Sequence, residues 1–167
     1  MRLYYVGEEC PPDGEDHHWF QTEYTRIVGS IRERSDLRTL LDGENEIVGV
    51  SDGSVMKGEG SAGYIILNKT TDQRVEASLP VDGAPEAMTL YRAELMGILA
   101  MFLVTQILIN WNKEARVRGT YFCDNEQAVK RVNEVQHSSY PYSVKTAIED
   151  EHDVLHEIKE ILKQIPD

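Results

Sequence analysis

Three acidic residues, Asp52, Glu94 and Asp124, stand where metal-dependent chemistry could be built. Carboxylates are hard oxygen donors, the kind that Mg2+ and Mn2+ prefer. Three of them brought to one point repel one another unless a cation sits among them. Each also has an ordinary reading. Asp52-Gly53 is turn chemistry, Glu94 a solvated or capping helix residue, and Asp124 a cap for the helix that follows it. The surrounding pattern ties the three together. Val48, Val50 and Asp52 fall on one face of a strand by period two, so the aspartate is expected on a buried side, where its charge needs compensation. Asp124 ends a second strand in phase with Phe122 and Thr120. Glu94 lies in the first turns of a long helix, with Gly97 and Ile98 one turn later on its face. Gly97 has no side chain, which lets that helix approach a sheet closely.

The elements that must position these residues follow from periodicity and punctuation. Residues 1–16 read as irregular, with turn chemistry at Pro11-Pro12-Asp13-Gly14. Phe20, Tyr24, Ile27 and Ile31 make one apolar stripe, which predicts an amphipathic helix. Ser35 is placed to cap a short second helix ending before Gly43. Residues 1–45 are thus expected to form a helical approach or linker segment. The period then changes. Strands are predicted over 46–54, 61–68 and 74–81, the last two joined as a hairpin through 68–73. A helix follows over 89–111, then a strand over 118–124 and a helix over 125–135. Tyr140-Pro141-Tyr142 breaks regular structure, and a last helix is predicted over 153–164 with Leu155, Ile158 and Leu162 on one face. This order predicts an α/β fold: a mixed sheet of three antiparallel strands plus a parallel fourth, flanked by α-helices.

The bulk properties narrow the function classes. A net charge of -12 argues against a surface that grips nucleic acid strongly unaided, yet suits a site for divalent cations. The longest apolar run, 99–109, is interrupted by Thr105 and Gln106 and is too short to span a bilayer. The N-terminus carries Arg2, Glu8 and Glu9 and no apolar signal core. Cys10 and Cys123 are the two cysteines, which is no disulfide framework. An intracellular location without a membrane is the expectation. Cys10, His17 and His18 lack the ligand number and spacing of a structural zinc site. Neither a nucleophile elbow nor a phosphate loop is present. His137 reads as a surface residue, the acidic run 149–151 as a solvated helix start, and Tyr140 and Tyr142 as core packing rather than base-stacking platforms.

The segments VSDGS (50–54), TLYRAELMGILA (89–100) and YFCDNEQAVKRV (121–132) resemble the RNase H family. More narrowly, they resemble the RNase H domains that follow reverse transcriptases in retroelements, over about residues 46–165. The resemblance implies an RNase H-like domain over 46–167. It implies that Asp52, Glu94 and Asp124 are the first three of the family's four metal-binding acids, at a two-ion site for Mg2+ or Mn2+. Gly53, Ser54, Thr89, Arg92 and Asn125 become substrate-contact candidates. The implied activity is endonucleolytic hydrolysis of the RNA strand of RNA–DNA hybrids, with an upstream reverse transcriptase domain as a partner. Lys57, Arg92, Arg116, Arg118, Lys130 and Arg131 are the basic residues available for phosphates.

The sequence departs from the family after the last predicted helix. The family continues into a fifth strand, a His-bearing loop and a final helix with the fourth acid, whereas these 167 residues stop at Ile165-Pro166-Asp167. The domain is therefore expected to lack its final strand and helix, and weak or no cleavage is expected of this chain. Asp153 reads as a helix N-cap rather than a replacement acid. Two rivals stay open: a non-catalytic RNase H-like structural or interaction module, and a 3′–5′ exonuclease of the same superfamily. Against the second, the position two after Asp52 is Ser54, where those enzymes typically carry a second acid.

Overall fold

A computed structural model describes residues 40–41, 44–112, 116–137 and 151–165. The stripe at Phe20–Ile31, the Ser35 cap, the turn at 11–14, Cys10, His17, His18, Tyr140 and Tyr142 lie outside the described residues. The elements run β1 (Glu44–Met56), β2 (Glu59–Asn68), β3 (Arg74–Val81), α1 (Leu90–Trp111), β4 (Arg116–Cys123), α2 (Glu126–His137) and α3 (His152–Leu162).

The strands form one mixed sheet in the order β3-β2-β1-β4. β1 pairs antiparallel with β2, β2 antiparallel with β3, and β1 parallel with β4. The β1–β2 turn is two residues long. Lys57 and Gly58 both take positive φ, as a tight hairpin whose twist matches its strands requires. In the β2–β3 turn, Asn68 Oδ1 accepts the backbone N–H groups of Thr70 and Thr71 at 2.8 and 3.3 Å. The parallel β1–β4 pair needs a crossover connection, and α1 supplies it.

The helices cover one face of this sheet. α1 lies against β1 and β2, and α3 packs on α1 and α2. The covered face of β1 carries Asn45, Ile47, Gly49, Ser51 and Gly53, all buried. This corrects the expected phase of β1. Val48, Val50 and Asp52 do share a face, but it is the other one, and Val50 is 46% exposed. Valine spacing reports which residues share a face, not which face the helices choose. Glycine decides it here, because only the glycine-bearing face admits a helix backbone so closely. A Cβ on Gly53 would lie 2.5 Å from the backbone nitrogen of Glu94, and one on Gly97 would lie 3.1 Å from the carbonyl oxygen of Asp52. Helices on both faces were expected; among the described residues they lie on one.

α1 is buried on every side from Ala93 to Ile109, so it is a central core helix rather than an amphipathic one. By length and composition it could cross a membrane, which the broken apolar run did not suggest. Yet 89% of its most apolar window is buried within the fold. Its polar residues are satisfied inside: Thr105 Oγ1 donates to the Met101 carbonyl at 2.9 Å, and Gln106 pairs with Gln164. At the other end of the sheet, Asn68 Nδ2 donates to the Leu40 carbonyl at 2.6 Å, and Asn112 donates to the Leu41 carbonyl. These bonds seat the two buried leucines that precede β1.

Candidate metal centre

Glu94 enters the site because Thr89 starts α1 just before it. Thr89 is the N-cap, with extended backbone, and its Oγ1 accepts the Arg92 N–H at 3.0 Å. Glu94 therefore lies in the second turn, pressed against the Gly53 backbone, and is 3% exposed. The Cys123 thiol donates to Glu94 Oε2 at 3.4 Å. The carboxyl's pKa is raised above its ordinary 4.5, by burial first and then by the negative charges of Asp124 and Asp52. The Cys123 hydrogen bond and the Gly53 N–H pull the other way without winning.

Asp124 follows the last residue of β4 beside Glu94, whereas Asp52 lies inside the neighbouring parallel strand β1, on the face away from the helices. In the ladder Val50 opposes Phe122 and Ser51 opposes Cys123, so Asp52 and Asp124 come next along the two strands. Both are exposed. The donor atoms that lie within 4.8 Å of one another are those of Glu94, Cys123 and Asp124. Asp52 is not part of that set, though its charge is felt at Glu94. The centre thus has a buried carboxyl from the helix, a buried thiol and the exposed Asp124 carboxylate just past β4, with the exposed Asp52 carboxylate of β1 standing outside that set. These oxygens suit a hard divalent ion once Asp52 and Glu94 draw together around it.

Cys123 was not among the candidates read from the sequence. Its signal was present: it immediately precedes Asp124 and is in phase with Tyr121, hence on the covered face. Burial pushes its thiol up to about 11, with the Asn125 backbone the main opposing influence and Glu94 adding to the rise.

The substrate-contact candidates divide. Ser54 is exposed, shares a 2.7 Å hydrogen bond with Ser61, and lines a cleft of about 560 Å³ with Ser61, Ser78 and Met88. Gly53 is buried under α1, and its lack of a side chain is spent on that approach. Asn125 accepts the Ala128 N–H at 3.0 Å, which caps α2, the role considered for Asp124. Thr89 donates to Glu151 Oε1 at 3.1 Å. Arg92 is held by acids: it pairs with Glu151 and makes a bidentate pair with Asp153, at 3.2 and 3.0 Å. Its Nε also donates to the Asp82 carbonyl at 3.2 Å. Arg131 pairs with Glu134 at 2.9 Å. Of the basic residues named for phosphates, Lys57, Arg116, Arg118 and Lys130 are exposed.

Asp153 is not the N-cap of α3. Glu151 holds that position in a left-handed conformation and without a side-chain cap bond. It is also buried, which a solvated helix start would not be. Burial alone would raise the Asp153 pKa, but the Arg92 guanidinium outweighs it and holds the carboxyl below its ordinary value. No protein-family model matches this chain, and no curated protein matches it.

Proposed function

We propose that this chain is an RNase H-like, divalent-metal-dependent endonuclease that hydrolyses the RNA strand of RNA–DNA hybrids. A retroelement reverse transcriptase is the proposed context, with the polymerase domain as its partner. The observation that carries this reading is the placing of Glu94. A nearly inaccessible carboxyl sits beside two parallel strands that carry aspartates, Asp124 just past β4 and Asp52 within β1, and burial and both negative charges raise its proton affinity. A fold does not pay this repulsion at three points for stability; a cation would relieve it.

Glu94, Asp52 and Asp124 would hold the ions, Mg2+ or Mn2+. When bound, such ions supply activation of the attacking water and charge stabilisation at the leaving oxygen. The residues of the chain do the rest. Glu94, fixed by burial, sets the depth of the site, and the two aspartates present their oxygens at its open side. Ser54 and its cleft offer hydroxyls to the RNA 2′-OH groups. Among the described residues, exposed Lys57, Arg116, Arg118 and Lys130 are the cations named for phosphates that remain open.

The second reading, a non-catalytic module of the same architecture, is favoured by two observations. Asp52 stands outside the tight donor set, and Arg92 is engaged by Glu151 and Asp153 rather than open to substrate. A labelled RNA–DNA hybrid, incubated with Mg2+ or Mn2+ beside single-stranded DNA, separates the two. Hybrid-specific cleavage that falls about a hundredfold or more in Asp52→Asn and Asp124→Asn supports the enzyme. Weak or no cleavage being expected of these 167 residues, an intact hybrid with either ion leaves the non-catalytic module only when a chain extended by any residues its gene encodes after Asp167 also fails to cleave.

A further inference from the structure

We infer that Glu94, Cys123 and Asp124 form a site for a borderline-soft divalent ion of the zinc class, distinct in its ligands from the hard-ion arrangement. The inference rests on the reading of Glu94 and Asp124 as cation ligands, but not on any cleavage. Two oxygens and one sulfur, all within 4.8 Å of one another, make a mixed donor set that Mg2+ does not use and zinc does. Tetrahedral zinc bonded at about 2.0–2.3 Å holds its donors about 3.3–3.7 Å apart. The Cys123 sulfur is already 3.4 Å from Glu94 Oε2. Three protein ligands leave a fourth position for water, on the side where Asp124 is exposed.

Ser51 provides a second, independent observation. It is the register partner of Cys123 across the β1–β4 ladder, and both side chains project to the covered face. Its hydroxyl is buried, no oxygen or nitrogen among the described residues pairs with it, and the group it meets is the Cys123 sulfur. A buried hydroxyl facing a neutral thiol is poorly satisfied unless some state of the protein offers it a better acceptor. The zinc-bound state does: the thiol proton leaves to solvent as the sulfur–zinc bond forms, and the Ser51 O–H turns to the thiolate. The site then holds three anionic ligands around one dication. Zinc draws Glu94 toward Cys123, whereas a hard ion draws it toward Asp52. The two ions therefore compete for one carboxylate, and zinc holds the centre in an arrangement that omits Asp52.

Cadmium titration of the full, reduced chain tests this, because a sulfur–cadmium bond absorbs in the ultraviolet and a carboxylate–cadmium bond does not. The wild type and Cys10→Ser should each develop one equivalent of charge-transfer absorption. Cys123→Ser and Cys123→Ala should develop none, and Glu94→Gln, which keeps the thiol, should bind about tenfold more weakly or worse. Zinc affinity, measured against a chromophoric chelator, should fall about tenfold or more in Cys123→Ser. Manganese affinity, read by water-proton relaxation, should fall by a smaller factor than zinc affinity, since the thiol is no ligand for manganese and acts on it only through its bond to Glu94. Absorption that survives Cys123→Ser, or that vanishes in Cys10→Ser, overturns the site. If manganese binds and zinc gains nothing from Cys123, this inference falls and the carboxylate centre stands. If neither ion binds the wild type, both fall.

Discussion

A carboxyl almost wholly removed from water, as Glu94 is, is costly to ionise, and the cost has a pH signature. Its pKa in the fold lies above the ordinary 4.5, so between those two values the folded chain binds more protons than the unfolded one. Stability that is present below pH 4.5 is therefore lost as the pH rises through the folded-state value. Glu94→Gln removes this term while keeping an oxygen to accept the Cys123 thiol. The metal-free variant should be more stable than the wild type at pH 8 and indistinguishable from it at pH 4. Thermal melts in a chelator at the two pH values give the comparison. Adding Mg2+ should raise the melting temperature of the wild type and leave the variant nearly unmoved, since only a native-state ligand stabilises. A variant less stable than the wild type at pH 8 would mean that the Cys123 bond outweighs burial and repulsion together.

The site is assembled by two junctions between elements, one steric and one ionic. In the steric one α1 crosses β1 at Gly53, with the backbone of Ala93 and Glu94 where a side chain would be. Gly53→Ala forces helix from strand, and backbone cannot yield as a flexible side chain can. A loss of about 2–4 kcal/mol in urea denaturation is expected, with Glu94 displaced and divalent-ion affinity reduced. In the ionic junction Arg92 ties the start of α1 to the start of α3 through Glu151 and Asp153. Asp153→Asn leaves a partly buried guanidinium with one partner fewer and should cost about 1–3 kcal/mol, more than a lost helix cap. A double-mutant cycle with Arg92→Ala should return a coupling of similar size. The order of strands and helices was legible from periodicity and turn residues. So was the hairpin at 68–73, and element ends came within about two or three residues. The Arg92 junction was not legible, because its partners lie some sixty residues away and nothing local in Glu151 or Asp153 announces them. The position of Cys123 beside Glu94 was hidden by counting cysteines as disulfide candidates instead of placing the residue on its strand face. The neighbourhood of Glu94 and Asp124 was legible because one lies in the second turn of α1 and the other directly follows β4, whereas Asp52, inside β1, was assigned to the covered face by its valine phase and lies on the open one.

At the scale of the whole molecule the sheet has two unlike faces. On the helix side Ile47, Ile66, Val75 and Leu79 are buried with α1. On the other, Ile65, Val50 and Phe122 form one cross-strand row, paired Ile65 with Val50 and Val50 with Phe122, and exposed at 43%, 46% and 36%. Asp52 stands two residues beyond Val50 on this same face. Val50→Thr and Ile65→Thr should thus each cost less than about 1 kcal/mol, whereas Ile66→Thr, one residue away, should cost about 2–4 kcal/mol. Equilibrium denaturation of the three single variants makes the test; equal losses at Ile65 and Ile66 would contradict a one-sided core. The burial of α1 on all sides has a further consequence for time rather than for energy. A helix with no solvent-facing stripe has no partial opening to fray through, so its amides from Ala93 to Ile109 should exchange with solvent at the rate set by global unfolding. The Glu94 amide belongs to that set, although its carboxyl lies beside the exposed Asp124, while amides at the open end of the β1–β2 hairpin should exchange far sooner. A hydrogen-exchange map should therefore place the floor of the site among the last groups to label and its aspartate rim among the earlier ones. The lifetime of the buried setting of Glu94 is then the lifetime of the folded protein itself.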